Sequence, residues 1–525
     1  MSTRFTDLAR LSISDSLKDR WHVPDWKAHF PWWITPAQCR ILFYTDGVAH
    51  LQGGSFQGLT YVKTLLEAHP YFYVNFVIDV CHRNGTDPTA TIFAGTAKKL
   101  TELDIMNKYD EIWFFGVDGG ASLTAAEVTL MDQFMAAPKN GGVLTTGDHA
   151  SLGQGLSGQI KRVGQMRLYP APDSVPPGWN TTLVQRAPAA GEPADPPGPG
   201  QALNFNDQSD DIPQSIRWRR YPVGIFHGRP HPVLCGPSGP IDVLPDHEHE
   251  GEALAPAVAG DSNWPSGVAG QEAPEVIAWG RIKDPNATNH GHEIGVISAY
   301  NGHMVDVGRI VADSTWHHWF DINLIGLAGS GPPYTGFAAT PAGQAALKKI
   351  DAYYLNCGVW LAPPSVQTAM RNAAFWSIIW QDIVVELPLK ASLLYWGRAG
   401  IDALGRRAGR CAIFDWVWPK EPIYKPKIPW WEWRMVIPEL GTFDIPVEQY
   451  LAGGAVRELA ATFGYQSGKR SITDRPPAAA EIERALARGA DAGIAALKED
   501  MGRQHGLVTK LMEQDFSARG LRTPR

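Results

Sequence analysis

Along the first third of the chain, apolar positions switch between short continuous runs and helical spacing. Ile41-Leu-Phe-Tyr-Thr45 is an apolar run ending in Asp46-Gly47, and Phe56 to Ala68 then repeats apolar residues at Phe56, Leu59, Val62, Leu65 and Leu66. A buried strand followed by a helix gives that change of period. The pattern recurs: Tyr73 to Val80 predicts a strand, Glu111 to Val117 a strand ending in Asp118-Gly-Gly, and Leu123 to Met135 a helix. A fourth run, Gly142 to Thr146, ends in Gly147-Asp148-His149. Successive buried strands separated by helices predict an α/β fold, a doubly wound and mostly parallel sheet.

The alternation then stops. Proline and glycine crowd the stretch from Tyr169 to Asp211, including Pro196-Pro-Gly-Pro-Gly200, and predict a long insertion over about residues 169–214. Structure is expected to resume with Ser215 to Val223. A strand pair, Gly295 to Tyr300 and Met304 to Asp313, joined by a hairpin-like turn at Asn301-Gly302, completes the sheet. Residues 341–411 and 476–517 are helical in spacing. The chain thus divides into an aromatic arm (1–39), an α/β domain (40–333) and a helical, tryptophan-rich region (334–525).

Composition narrows the classes of partner. The 525 residues are 44% hydrophobic and 19% charged with a net charge of -7, so no basic face is indicated for nucleic acid. Five cysteines (Cys39, Cys81, Cys235, Cys357, Cys411) form no CxxC pair, which suits a reducing cytoplasm better than a disulfide framework. The amino terminus lacks the apolar core of a signal peptide, and Ser377 to Trp396 is interrupted by Gln381, Asp382, Glu386, Pro388 and Lys390, which argues against a span. Nine of the 20 tryptophans lie between Trp360 and Trp433, a density expected of a core or of a homo-oligomer interface. Basic residues from Pro388 to Arg434 leave a peripheral membrane contact as the alternative.

Candidate chemistry lies in the front of the chain, since all 16 histidines except His505 fall at or before His318. Asp46, Asp118, Asp148-His149 and Asp313 to His318 stand at expected strand ends, which a parallel sheet gathers on one edge. The strand entering Trp316-His-His318 would present only one of His317 and His318 to a site, because adjacent strand residues face opposite sides. Asp148 and His149 are candidate catalytic groups after a tight turn at Gly147; Asp148 would be a base, a metal ligand or the cap of the next helix. The hydroxyls of Thr145, Thr146 and Ser151 show no triad order. Asp246-His-Glu-His-Glu-Gly-Glu252 puts His247 and His249 on one side of an extended segment, suited to a divalent metal, zinc above all, or else forms a solvated acidic loop. His149 and Asp148 would complete such a centre, with Asp46, Asp118 and Asp313 facing a small-molecule substrate. Gly119-Gly120, Gly153, Gly155 and Gly158 read as turns, so no nucleotide cofactor is indicated.

These parts follow the order of a known family. Ile41 to Gly47, Glu111 to Gly120, Gly142 to His149, His231-Pro-Val-Leu with the Asp246 to Glu252 segment, Pro274 to Trp279 and Gly308-Arg-Ile-Val-Ala-Asp-Ser-Thr-Trp-His-His are similar to the ThuA-like (trehalose-utilisation) family. That family is a branch of the class I glutamine amidotransferase-like fold, and the resemblance covers roughly residues 40–325. It implies a flavodoxin-like sheet, a site at the elbow and a link to sugar metabolism. Amidotransferases carry a nucleophilic cysteine at the elbow, where this chain has Asp148-His149, so glutaminase chemistry does not carry over. His317 or His318 matches the family's closing histidine in position. Two readings result: a cytoplasmic hydrolase of a small polar, carbohydrate-related substrate, or an inert amidotransferase-like scaffold whose helical tail binds a protein partner or a membrane surface.

Overall fold

The computed structural model describes residues 36–52, 55–69, 71–117, 122–147, 152–168, 213–223, 227–237, 239–245, 251–267, 270–281, 291, 293–327, 329, 335–379, 384, 387–405, 447–464 and 477–518. Eight strands form one sheet: β1 (Ala37–Thr45), β2 (Val74–His82), β3 (Glu111–Phe115), β4 (Gly142–Thr145), β5 (Arg217–Trp218), β6 (Glu275–Arg281), β7 (Glu293–Tyr300) and β8 (Ile310–Asp313). Their order is β2-β1-β3-β4-β8-β7-β6-β5. The first five run parallel and the last three are added antiparallel. The sheet is therefore mixed and mostly parallel, with helices on its faces, as an α/β chain requires. Thr45 pairs with both His82 and Phe115, Phe114 with Thr145, and Thr145 with Ala312. That register brings the carboxyl ends of five strands to one edge.

Side-chain alternation divides the core into two layers. Cys39, Ile41 and Phe43 of β1 point to one face and Leu42 and Tyr44 to the other, all fully buried. Helix α1 (Thr60–Ala68) covers the first face with Tyr61, Val62, Leu65 and Leu66, and α2 (Ala125–Met135) covers the second with Met131, Phe134 and Met135. Helix α2 starts in a capping box, in which Thr124 and Glu127 satisfy each other's backbone amides. Helix α1 has no local side-chain cap. Its first amides donate instead to the carboxylate of Asp321, from Tyr61 at 2.8 Å and Thr60 at 3.3 Å. This distant cap, packed against Gly58, sets the helix start at Thr60 rather than at the expected Phe56.

Helix α3 (Pro341–Leu361) lies on the same face as α1, and its Tyr353, Tyr354 and Cys357 belong to one continuous hydrophobic cluster with Ile41, Trp113 and Val311. A Cβ on Gly358 would stand 2.8 Å from the Phe76 ring, so glycine lets the helix approach the sheet. The core therefore runs across the 333/334 boundary. Four more helices follow: α4 (Pro364–Ile378), α5 (Leu393–Gly405), α6 (Val447–Leu459) and α7 (Ala479–Ala518). Gly454 and Gly489 bring α6 and α7 together so closely that a Cβ on Gly454 would meet the Gly489 carbonyl at 1.9 Å. Trp360, Trp376 and Trp396 are core residues, whereas Trp416, Trp418, Trp430, Trp431 and Trp433 lie outside the described residues. Among the described residues no helix is long and apolar enough to cross a membrane.

Two expectations change. The strand pair β7 and β8 is antiparallel, but its connection is not a two-residue turn: Gly302–Val305 is a 3-10 helix, Asp306 takes a left-handed conformation (φ +60), and β8 begins at Ile310. Met304 N–H to Asn301 C=O (3.1 Å) and Val307 N–H to Gly302 C=O (3.0 Å) close the loop on itself. Strand β2 continues to His82, two residues beyond Val80. The segment of about 169–214 and the 1–39 arm lie almost entirely outside the described residues, which begin at Pro36 and resume at Pro213.

Near the opposite end of β3, the fully buried Glu111 accepts from the Cys39 thiol (3.0 Å) and the Trp113 indole (2.8 Å). Burial pushes its carboxyl well above the ordinary 4.5. The unfolded chain releases this proton near 4.5 and the folded chain only at higher pH. Between those points the folded state holds one extra proton, so this group's stabilisation, fully present below 4.5, falls by up to about 1.4 kcal/mol per pH unit as pH rises. Glu111→Gln keeps an acceptor for Trp113 without the titration. Urea denaturation from pH 4 to pH 8 should show a flatter stability profile in this variant and a gain at neutral pH; parallel profiles would refute the protonated carboxyl.

Candidate functional site

At the carboxyl edge, Asp46 is the first residue after β1. Its Oδ1 accepts from Val48 N–H (3.0 Å) and its Oδ2 from Val117 N–H (2.5 Å), while its own N–H donates to Phe115 C=O (3.4 Å). The expected substrate contact is a buried staple between the loops after β1 and β3. Gly47, at φ +99, lets the chain turn here, where a Cβ would lie 2.1 Å from the Asn84 carbonyl oxygen.

The end of β4 is equally engaged. Thr145 donates to the Ser157 hydroxyl (2.6 Å) and Thr146 to Phe114 C=O (3.2 Å). Gly147 accepts from Trp316 N–H (2.7 Å), joining the ends of β4 and β8. A Cβ on Gly147 would strike the Arg167 guanidinium, which donates to the carbonyls of Leu152 (3.1 Å) and Ser314. Arg167 is 2% exposed, a cation held within the strand ends. Asp118, Asp148 and His149 lie outside the described residues, as do His247 and His249. Their flanks are described: β3 and β4, which precede 118 and 148 in the chain, are paired neighbours.

Asp313 and the two histidines form a clamp. Trp316–His318 is a 3-10 helix, capped by the Thr315 hydroxyl accepting from His317 N–H at 3.1 Å. The alternation expected of a strand therefore does not apply, and both imidazoles are buried. Asp313 Oδ1 pairs with His318 Nδ1 (2.6 Å), and Oδ2 accepts from the Trp319 indole (3.0 Å) and the Tyr353 hydroxyl (2.7 Å). Tyr354 donates to the His318 carbonyl, and His317 Nδ1 faces Asn323 Oδ1 at 3.3 Å. Burial, followed by the Asp313 charge, pushes the Tyr353 hydroxyl well above its ordinary range. Asp313, expected to face substrate, is instead fully enclosed by protein donors.

A set of groups absent from the sequence reading lies at the ends of β1 and β2, with β3 and β4 between it and β8. Thr45, at the end of β1, places Oγ1 2.6 Å from His82 Nδ1, and His82 Nε2 stands 2.8 Å from Asp87 Oδ2. Asp87 also accepts from Thr89 N–H (2.8 Å) and the Thr89 hydroxyl (2.7 Å). Burial lowers the His82 pKa despite the nearby Asp87. Burial raises the Asp87 carboxyl, but the Thr89 and His82 hydrogen bonds outweigh it and leave the carboxyl below its usual value. His82 is thus neutral and Asp87 ionised at neutral pH. The available signal was Cys81-His82 continuing the β2 run into Asp87-Pro-Thr89.

Among the described residues no group of three or more His, Cys, Asp or Glu is arranged to hold a metal. The fold and edge define an α/β protein with acid, base and cationic groups gathered at the strand ends. Compared with known proteins, the chain matches no family model, no curated protein and no solved structure.

The clamp yields a stability test. Asp313→Asn turns an amide donor toward groups that already donate and should cost about 2–4 kcal/mol, against about 1 kcal/mol for Tyr353→Phe. Equilibrium urea unfolding compares them; a smaller loss for Asp313→Asn than for Tyr353→Phe would remove the carboxylate from the centre of the clamp.

Proposed function

We propose that the chain is a hydrolase of a small polar, carbohydrate-related substrate, acting at the carboxyl edge of a flavodoxin-like sheet of the ThuA-like kind. The observation that carries this reading is the buried Arg167 guanidinium packed against Gly147, the residue that directly precedes Asp148-His149 in the chain, at the end of the paired strands β3 and β4. A strand order of 2-1-3-4 followed by the parallel β8 supports it, because such sheets bind ligands outside their carboxyl ends where the order reverses. A buried guanidinium there suits an anionic substrate group or the negative charge that develops when an acyl or phosphoryl centre is attacked.

In this reading Asp148 is the general base and His149 the acid–base partner, following Gly147 directly in the chain. The alternative role for the pair is as metal ligands beside His247 and His249. Three imidazoles and one carboxylate are a donor set that zinc accepts, and bound zinc would supply a water acidified to about pH 7. With Asp313 and His318 engaged with each other, the closing histidine contributes by holding the edge in place.

Elemental analysis of the purified protein and of His247→Ala/His249→Ala tests the metal form: near-stoichiometric zinc that disappears in the folded variant supports it, and metal content equal in both removes these ligands. The hydrolase reading itself is tested on a panel of esters, phosphate esters and glycosides. Asp148→Asn should lower kcat on the responding substrate by about a hundredfold or more. No turnover across the panel, with or without added zinc, would favour the inert scaffold.

A further inference from the structure

We propose that Thr45 is a nucleophile, activated by His82 and Asp87, that takes an acyl or phosphonyl group from a small ester. The polarity of the chain of groups is that of an activated hydroxyl. Asp87 accepts the proton on His82 Nε2, which leaves the Nδ1 lone pair directed at the Thr45 hydroxyl across 2.6 Å. Gly47 N–H donates to the same Oγ1 at 2.9 Å and stabilises negative charge as it develops there.

His82 also changes protonation state without losing a partner. When Nδ1 carries a proton it donates to Thr45 Oγ1 while Nε2–H stays on Asp87, and the resulting imidazolium is paired with a carboxylate. The Thr45 hydroxyl has a second acceptor, the Ala49 carbonyl at 3.2 Å, for the state in which it keeps its hydrogen. A purely structural hydrogen bond needs no such reserve, whereas a group that moves a proton does.

The site is built by its backbone. Gly47 (φ +99) and Gly85 (φ +84) hold the loops after β1 and β2 in contact, and Leu51 N–H donates to the Thr89 hydroxyl (3.0 Å), fastening the loop of residues 46–52 over Thr45. Thr45 is fully buried, so reaction requires that loop to lift. The titratable groups facing the imidazole are Asp87 and the half-buried His50, whose pKa is likewise lowered by burial.

The step balances without a cofactor. Oγ1 bonds to the carbonyl carbon of the ester and its proton passes to His82 Nδ1; the bond to the leaving alkoxide breaks, and the alcohol departs with that proton. Water then reverses the path, giving the acid and restoring Thr45. The inference rests on neither the metal nor the Asp148 assignment.

The full-length protein, treated with a fluorophosphonate and mapped by peptide mass spectrometry, decides it. One adduct should form on Thr45 as fluoride leaves; it should be absent in Thr45→Val, retained in Thr45→Ser and formed at least about a hundredfold more slowly in His82→Gln. Labelling of Thr45 in protein that turns over nothing on the panel would leave this inference standing and the hydrolase reading not, which separates the two failures. Folded wild-type protein that gains no adduct on Thr45, or a labelling rate indifferent to His82→Gln, would make the three residues a structural clasp. Should His82→Gln not fold, the wild-type map and Thr45→Val remain decisive.

Discussion

The carboxyl edge hangs on one buried carboxylate. Asp313 lies at the end of β8 and is enclosed by His318, the Trp319 indole and the Tyr353 hydroxyl. A carboxylate removed from water is tolerable only if its lone pairs are filled by well-placed donors. Those donors come from the 3-10 turn and from α3, so satisfying one charge fixes a strand, a turn and a helix relative to each other. The consequences reach further: Asp321, a few residues on, caps α1, and Trp316 N–H holds Gly147 at the end of β4. A helix from the tryptophan-rich region is thus a structural part of the α/β core.

The strands were legible because a parallel strand covered on both faces is a nearly continuous apolar run, and β1, β3 and β4 have that form. Their order, and the addition of β6 and β5 beyond the expected β7–β8 pair, were not, since pairing partners leave no local mark in the sequence. The expected β2 stopped at Val80, two residues short, because His82-Arg83-Asn84 ends the apolar run, although Cys81 and His82 continue the strand. The start of α1 was misplaced for a related reason: its cap comes from Asp321, more than 250 residues away, and no local signal encodes it. His317 and His318 were read as strand residues because an apolar run leads into them; Thr315, capping the turn, ends the extended backbone there.

The same distinction explains which site residues could be anticipated. An aspartate after a strand reads equally as a functional group or as a staple, and Asp46 and Asp313 prove to be staples because backbone amides and aromatic donors lie within reach in three dimensions. The chain from Thr45 through His82 to Asp87 depends on the β1–β2 register pairing Thr45 with His82. Nothing local to Thr45 announces it, since the hydroxyl and the imidazole are 37 positions apart.

Buried titratable groups in this protein fall into three electrostatic solutions, and the difference bears on function. Burial pushes the Glu111 carboxyl well up, against the hydrogen bonds it accepts from a thiol and an indole. Asp313 meets its donors and is locked in place by them. Asp87 and His82 differ from both: the carboxylate is held ionised by Thr89 and the imidazole held neutral by burial, so a proton has a donor and an acceptor already aligned. This arrangement spans the ends of β1 and β2, beside the β1–β3 reversal in strand order and directly before Asp46. Asp46 and Asp313 thus fix the edge, while the aligned Thr45–His82–Asp87 groups are the ones on which the proposed acyl transfer rests.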